Sequence, residues 1–373
     1  MKLKAAILTF FFLLSFRAWP QEQITNSFVL NSFNNELDLL AKKRAGKVSI
    51  VHIGDSHVQG DYFSGFVRKE FQKHFGNAGR GFVFPYRLAN SYGPSDVLFT
   101  SNGRFESKDL MHCNSRCDFG AVGFEVSTSE NASLALRTDN TLFSTVQLHY
   151  DKNVYLPCSD SIPYTFTDTH NIARIEFDKL LSEIEFEGKP KTKSSAVIRG
   201  LVLENGQPGV LYHSLGVNGS AAYQYIKSYD FENQVKHLDP DLIILSFGTN
   251  DCYMTRDKFC QSCVKSNYLS LIGRLKNQNS DIPILLTTPP DHYYKRRYAN
   301  SNLNRMCKVL YDVALETNVA LYDLHSSMGG SGSVKNWHEE GLAAGDLIHY
   351  SKAGYQLQGE MLFNALLENY QQD

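Results

Sequence analysis

The strongest constraint on the fold is a set of short, continuous apolar runs without the alternation of a half-wet sheet. Asp241-Leu-Ile-Ile-Leu-Ser-Phe247, Ile282-Pro-Ile-Leu-Leu-Thr-Thr288 and Val319-Ala-Leu-Tyr322 have this pattern, and Val48-Ser-Ile-Val-His-Ile53 is a β-branched run of the same kind. A strand buried on both faces reads this way, as strands of parallel sheets do. Amphipathic stretches of helical length accompany them, at about 62–75, 222–237, 266–275, 302–316 and 352–370. Strands alternating with helices predict a three-layer α/β/α sandwich around a parallel sheet, of flavodoxin-like type.

One region breaks the rhythm. Between about Pro94 and Asn205 the apolar residues alternate over short runs such as Val122-Gly-Phe-Glu-Val126, Ala132-Ser-Leu-Ala-Leu136 and Thr145-Val-Gln-Leu-His-Tyr150. Short strands spaced by turns suggest an antiparallel β-sandwich. The parallel pattern resumes afterwards, so 94–205 reads as an insertion into a domain built from 21–93 and 206–373.

The first residues carry Lys2 and Lys4 ahead of an apolar run from Ala5 to Phe16, then Ala18-Trp19-Pro20. This has the form of a secretory signal peptide over 1–20, and the run is short for a permanent membrane span. The expected location is therefore periplasmic or extracellular. Seven cysteines in an exported chain favour disulfides over free thiols, with at least one left unpaired and the connectivity open. A net charge of -2 supplies no basic stripe for a nucleic acid.

Four segments carry candidate chemistry. Gly54-Asp55-Ser56-His57 falls where a buried strand gives way to a helix, which exposes Ser56 at the carboxyl edge of the sheet and sets its N–H near a helix N-terminus. On its own this tetrapeptide is equally a turn with a capping serine. Asp346-Leu-Ile-His349 changes the balance, because a carboxylate and an imidazole on one loop can pair through Nδ1 and leave Nε2 for the Ser56 proton. Gly248-Thr-Asn250-Asp251 follows the run 241–247 on the same sheet edge, placing a side-chain amide suited to an oxyanion. Gly216-Val-Asn-Gly219 is a turn before a helix, where glycine lets a backbone N–H approach a substrate oxygen closely.

In order along the chain, Gly54-Asp-Ser56, Gly219, Gly248-Thr-Asn250-Asp and Asp346-Leu-Ile-His349 resemble the four blocks of the SGNH/GDSL hydrolases. The resemblance implies a serine esterase without a cofactor: Ser56 as nucleophile, His349 as general base, Asp346 as its orienter, and the Ser56 N–H, Gly219 and Asn250 as oxyanion donors. His57 departs from the pattern, which places leucine there. Gly54-Asp-Ser-His-Val-Gln-Gly-Asp61 and Phe75-Gly-Asn-Ala-Gly-Arg-Gly-Phe82 further resemble the bacterial peptidoglycan O-acetylesterases, whose hydrolase fold is interrupted by a carbohydrate-binding-like β-sandwich. That narrower resemblance implies removal of O-acetyl groups from a polysaccharide, peptidoglycan foremost. It leaves open an acetyltransferase acting on sugar hydroxyls, a lipid or thioester acylhydrolase, and a glycan-binding protein with a vestigial site.

Overall fold

The computed structural model describes residues 23–114, 116–151, 153, 155–157, 162–188 and 195–372; the expected signal peptide at 1–20 and Cys158 lie outside them. Five parallel strands form the central sheet in the spatial order Gly209–Gly216, Lys47–Gly54, Leu242–Ser246, Ile284–Thr287, Ala320–Tyr322. Alternate residues feed two separate cores. Val51, Ile53, Ile243, Leu245, Ile284, Leu286 and Leu321 face one side, where they meet Tyr225, Phe231, Tyr268, Leu271, Met306 and Leu310 from the helices between 222 and 317. Ile50, Val210, Tyr212, Leu242, Ile244, Leu285 and Tyr322 face the other, against helices Asn31–Lys43, Phe63–Phe75, Ser333–Glu339 and Lys352–Gln372. Both faces are dry, which is why the strands read as unbroken apolar runs.

The remaining strands form two antiparallel sheets of seven and four and a two-stranded hairpin, Tyr293–Tyr294 with Tyr298–Ala299. Their core residues, among them Leu134, Leu148, Ile175, Phe186 and Ile198, belong to the same continuous cluster as the first face of the parallel sheet. The two antiparallel sheets thus share one core with the parallel sheet. The seven-stranded sheet also takes in Gly81–Val83, paired antiparallel with Leu201–Leu203, so it reaches upstream of residue 94. Three residues are too few to show an alternation in the sequence.

Two local expectations are corrected. The stretch 222–237 is two helices, Ala222–Lys227 and Phe231–Lys236, because Cys117 bridges to Ser228 between them, its N–H donating to the Lys227 carbonyl at 3.2 Å and its carbonyl accepting from Tyr229 at 2.9 Å. The outer strand Gly209–Gly216 and the helix Asn31–Lys43 were not anticipated at all. Cys113 pairs with Cys117 and Cys260 with Cys263, while Cys252 and Cys307 are buried free thiols.

A buried ionic cluster ties the first βα unit to its neighbours. Asp61, in the left-handed region at φ 57°, accepts from Arg68 at 2.9 Å, Arg80 at 2.6 Å, Ser64 at 3.0 Å and Ser214 at 2.7 Å. Burial opposes its ionisation, but the two guanidinium groups outweigh that and hold the carboxyl well below the usual range. A depressed carboxylate stabilises the fold above the ordinary carboxylate pKa and loses that contribution as the pH falls toward about 2. Asp61→Asn leaves two buried cations short of a partner, with an expected loss of about 3–5 kcal/mol. Urea unfolding at neutral pH measures it, and the difference from wild type should shrink as the pH is lowered.

Candidate active site

Parallel pairing sets the site. Gly54 is in register with both Gly216 and Ser246, so the turns that follow three adjacent strands leave the sheet side by side. The close approach requires glycine: a Cβ on Gly54 would lie 2.4 Å from Val58 Cγ2 and 2.8 Å from the Ser246 carbonyl, and one on Gly216 would lie 2.3 Å from the Gln59 nitrogen. Ser56 opens the four-residue helix Ser56–Gln59, capped by the Asp55 carboxylate, which accepts from the His57 N–H at 2.9 Å.

Asp346 and His349 arrive from the turn before the last helix. Leu347 sits in the left-handed region at φ 56°, Ala344 N–H donates to the His349 carbonyl at 2.8 Å, and Tyr293 N–H donates to the Leu347 carbonyl at 2.8 Å. The loop is therefore braced on two sides. His349 Nε2 lies 3.0 Å from Ser56 Oγ, and Nδ1 lies 2.7 Å from Asp346 Oδ2. Asp346 Oδ1 accepts from the backbone N–H groups of Ile348 at 3.0 Å and His349 at 2.9 Å. Burial alone would raise its pKa, but these bonds and the His349 ring lower it, so the carboxylate stays charged beside the imidazole. A hydroxyl, an imidazole and a carboxylate in line within hydrogen-bond reach can move a serine proton to Nε2 during attack on a carbonyl carbon.

The donors expected for an oxyanion stand on the same side. Among the described residues no acceptor takes up the N–H of Ser56 or of Gly219, and Gly219 has φ 79°. Asn250 is differently placed: its Nδ2 donates to the Ser220 carbonyl at 2.9 Å and to Asp55 Oδ2 at 3.2 Å, so both hydrogens already have protein acceptors. Burial pushes the Asp55 carboxyl up to about 7, offset in part by the His57 N–H. Asp251, next to Asn250, is likewise pushed up to about 7 by burial, and its Oδ2 has no hydrogen-bond partner.

His57 is buried. Its Nδ1 lies 3.0 Å from the Tyr355 hydroxyl, its Nε2 lies 3.3 Å from Thr249 Oγ1, and its ring centre lies 5.4 Å from that of His349. Burial first, then the neighbouring His349 and His292, hold it well below the ordinary histidine range, so it packs beside the His349 ring as a neutral group. Gln59 was overlooked in the sequence. Its Oε1 accepts from the Asn218 N–H at 2.5 Å, and its Nε2 donates to Ser91 Oγ at 2.7 Å and the Tyr92 carbonyl at 2.5 Å, fixing the Gly219 turn and the 91–92 loop together. A glutamine three residues after the serine was the signal available. Among the described residues no group of three or more His, Cys, Asp or Glu side chains is arranged to hold a metal ion.

Comparison with known proteins fits this geometry. Residues 188–357 match the GDSL-like lipase/acylhydrolase family, an interval that contains Gly219, Asn250, Asp346 and His349 but not Ser56. A solved peptidoglycan O-acetylesterase superposes with a TM-score of 0.77 at 23% identity, over 92% of this chain and 97% of its own. At that identity the likeness speaks for the fold, including the inserted sheets. A lipase/acylhydrolase from Enterococcus faecalis (24% identity, 42% of this chain and 75% of its own, TM-score 0.34) and an acetyl xylan esterase (22%, 42% and 81%, 0.35) align over less than half of the chain. No curated protein sequence matches.

Asp346→Asn should preserve the loop but present the wrong histidine tautomer, lowering kcat on a chromogenic acetyl ester by about 10⁴-fold. Raised carboxyls act on stability in the opposite sense to Asp61: the contribution of Asp251 is present at low pH and declines as the pH rises from 3.8 toward about 7. The melting temperature should therefore fall less steeply between pH 4 and pH 7 in Asp251→Asn than in the wild type.

Proposed function

From the premise that this chain is an SGNH/GDSL-type acylhydrolase, a carboxylic ester hydrolase, we propose that it removes O-acetyl groups from a polysaccharide outside the cytoplasm, peptidoglycan foremost. Ser56 Oγ attacks the acetyl carbonyl carbon while His349 Nε2 takes its proton. The same proton passes to the departing sugar oxygen, leaving acetyl-Ser56. Water then attacks the ester with His349 again as base, acetate leaves, and Ser56 recovers its proton. The N–H groups of Ser56 and Gly219 face the developing oxyanion. Asn250 joins them by releasing its longer bond, the one to Asp55, and a carboxyl pushed up to about 7 is a weak acceptor from which to release it.

The observation that carries the glycan reading is a pocket of about 500 Å³ beside the Gly219 turn. Its walls come from both parts of the chain: Asn90, Ser91 and Asn218 from the hydrolase, and Ser107, Asp109 and His112 from the inserted sheet region. Together with the apolar Met111, Phe119 and Phe124 in the same lining, these polar side chains suit a ligand that has both hydroxyls and apolar faces, as a sugar ring does. Met111 touches the space above Gly219, with its Cε 3.4 Å from where a Cβ would stand, which joins the pocket to the oxyanion side. Export is supported by the apolar run Ala5–Phe16 and by two short-range disulfides.

Acetate release from O-acetylated peptidoglycan, with acetylated xylan as comparator, tests the reading. The wild type should release acetate from peptidoglycan and Ser56→Ala should not. Release from xylan alone removes peptidoglycan as the substrate while keeping the chemistry, and acetate appearing on an added saccharide instead of in solution makes the protein a transferase. Asn250→Ala should lower the wild-type rate by about 100-fold to 1000-fold.

A further inference from the structure

A second feature at the rim of the site is not used by the chemistry above. Residues 293–299, Tyr-Tyr-Lys-Arg-Arg-Tyr-Ala, form a small hairpin in which Tyr293 pairs with Ala299 and Tyr294 with Tyr298. Lys295 and Arg296 occupy its turn with φ of 53° and 59°, and Arg297 N–H closes it on the Tyr294 carbonyl at 3.2 Å. Two positive φ values in a row are the signature of a type I′ turn, whose usual occupants are Asn and Gly. Long, charged side chains at both positions are an uncommon choice that the fold itself does not need.

The hairpin is anchored to the catalytic elements. Tyr293 N–H donates to the carbonyl of Leu347, between Asp346 and His349, at 2.8 Å. Lys295 N–H donates at 2.9 Å to the hydroxyl of Tyr253, three residues beyond Asn250, and the Tyr253 ring packs edge-on against Tyr294 at 5.1 Å. Lys295, Arg296, Arg297 and Tyr298 are exposed. The Lys295 ammonium lies over the Tyr294 ring, and nearby Lys335 lies over Tyr293. Among the described residues, no carboxylate forms an ion pair with Lys295, Arg296, Arg297 or Lys335. In a chain of net charge -2, three consecutive unpaired cations with Lys335 beside them are a local concentration of uncompensated positive charge.

We infer that the hairpin 293–299 is a substrate-binding element for carboxylate groups, so that the acetylated polymer taken by this site is an acidic one. Arg296 and Arg297 offer forked donors matched to carboxylates, and the exposed Tyr298 beside them offers a flat face for a sugar ring or peptide group. The inference rests on the polysaccharide reading and narrows it, since neutral acetylated glycans have no carboxylate for these cations to hold.

The turn chemistry supplies a test variant that keeps the fold. Lys295→Asn with Arg296→Gly installs the preferred type I′ pair, and Arg297→Gln removes the third charge; the melting temperature of the triple variant should be unchanged or raised. Acetate release is measured on native O-acetylated sacculi and on the same sacculi with their carboxylates amidated. The wild type should half-saturate at about tenfold lower concentration on the native material, and the variant should lose that preference. Equal saturation of native and amidated sacculi by the wild type overturns the inference, as does a preference that survives in the variant. If the wild type releases no acetate from sacculi, the peptidoglycan reading fails separately. Sedimentation with acetylated pectin against acetylated xylan then decides the hairpin: selective, variant-sensitive binding to the acidic polymer supports it, and indifference refutes it. Charge-dependent binding to phosphatidylglycerol vesicles without discrimination between polymers would assign the hairpin to a membrane surface instead.

Discussion

The site depends on the in-register pairing of three parallel strands whose last residues are Gly54, Gly216 and Ser246. Because the strands end level, the turns carrying Ser56, Gly219 and Asn250 emerge together at the carboxyl edge, where open α/β sheets place their sites. The spacing tolerates no side chain at Gly54 or Gly216, since either Cβ would enter the first turn of the helix at Ser56–Gln59 or the backbone of the adjacent strand. Only Asp346 and His349 come from elsewhere, and their loop is held by Tyr293 and Ala344 against the same edge.

Charge is distributed around this edge in two ways. Asp61, with Arg68 and Arg80, is a fully ionised buried cluster that fixes the start of the helix Phe63–Phe75 to the loop at Arg80 and the strand at Ser214. Asp55, next to Ser56, and Asp251, next to Asn250, have no ion-pair partner among the described residues, and burial raises both. The first arrangement gains stability as the pH rises from about 2 to 3.8, and the second loses it as the pH rises from 3.8 toward about 7. A site whose polar groups are less than fully satisfied is expected where those groups must exchange protein partners for a substrate oxygen.

Much of this was legible in the sequence because each element carried its own local signal. The apolar runs at 48–53, 241–247, 282–288 and 319–322 mark strands dry on both faces, and two of the four motif blocks, at Ser56 and Asn250, fall at the ends of those strands. What was missed depended on distant partners. The strand Gly209–Gly216 contains Tyr212 and Ser214, whose polar atoms suit a buried strand because His52 and Asp61 meet them. The break at Ser228 is imposed by Cys117, over a hundred residues away, and Gln59 acquires its role only when Asn218 and Tyr92 are brought to it. The engagement of Asn250 with Asp55 could not be read from residue types that are each compatible with an oxyanion donor.

The most direct test of the account is where a fluorophosphonate reacts, located by peptide mass mapping, followed by the structure of the adduct. The account predicts a single label on Ser56 with its phosphoryl oxygen within hydrogen-bond distance of the Ser56 and Gly219 N–H groups, and no label in His349→Ala. A label on any other residue, or labelling of Ser56 that persists undiminished without His349, would contradict the serine-histidine relay on which the proposed function rests.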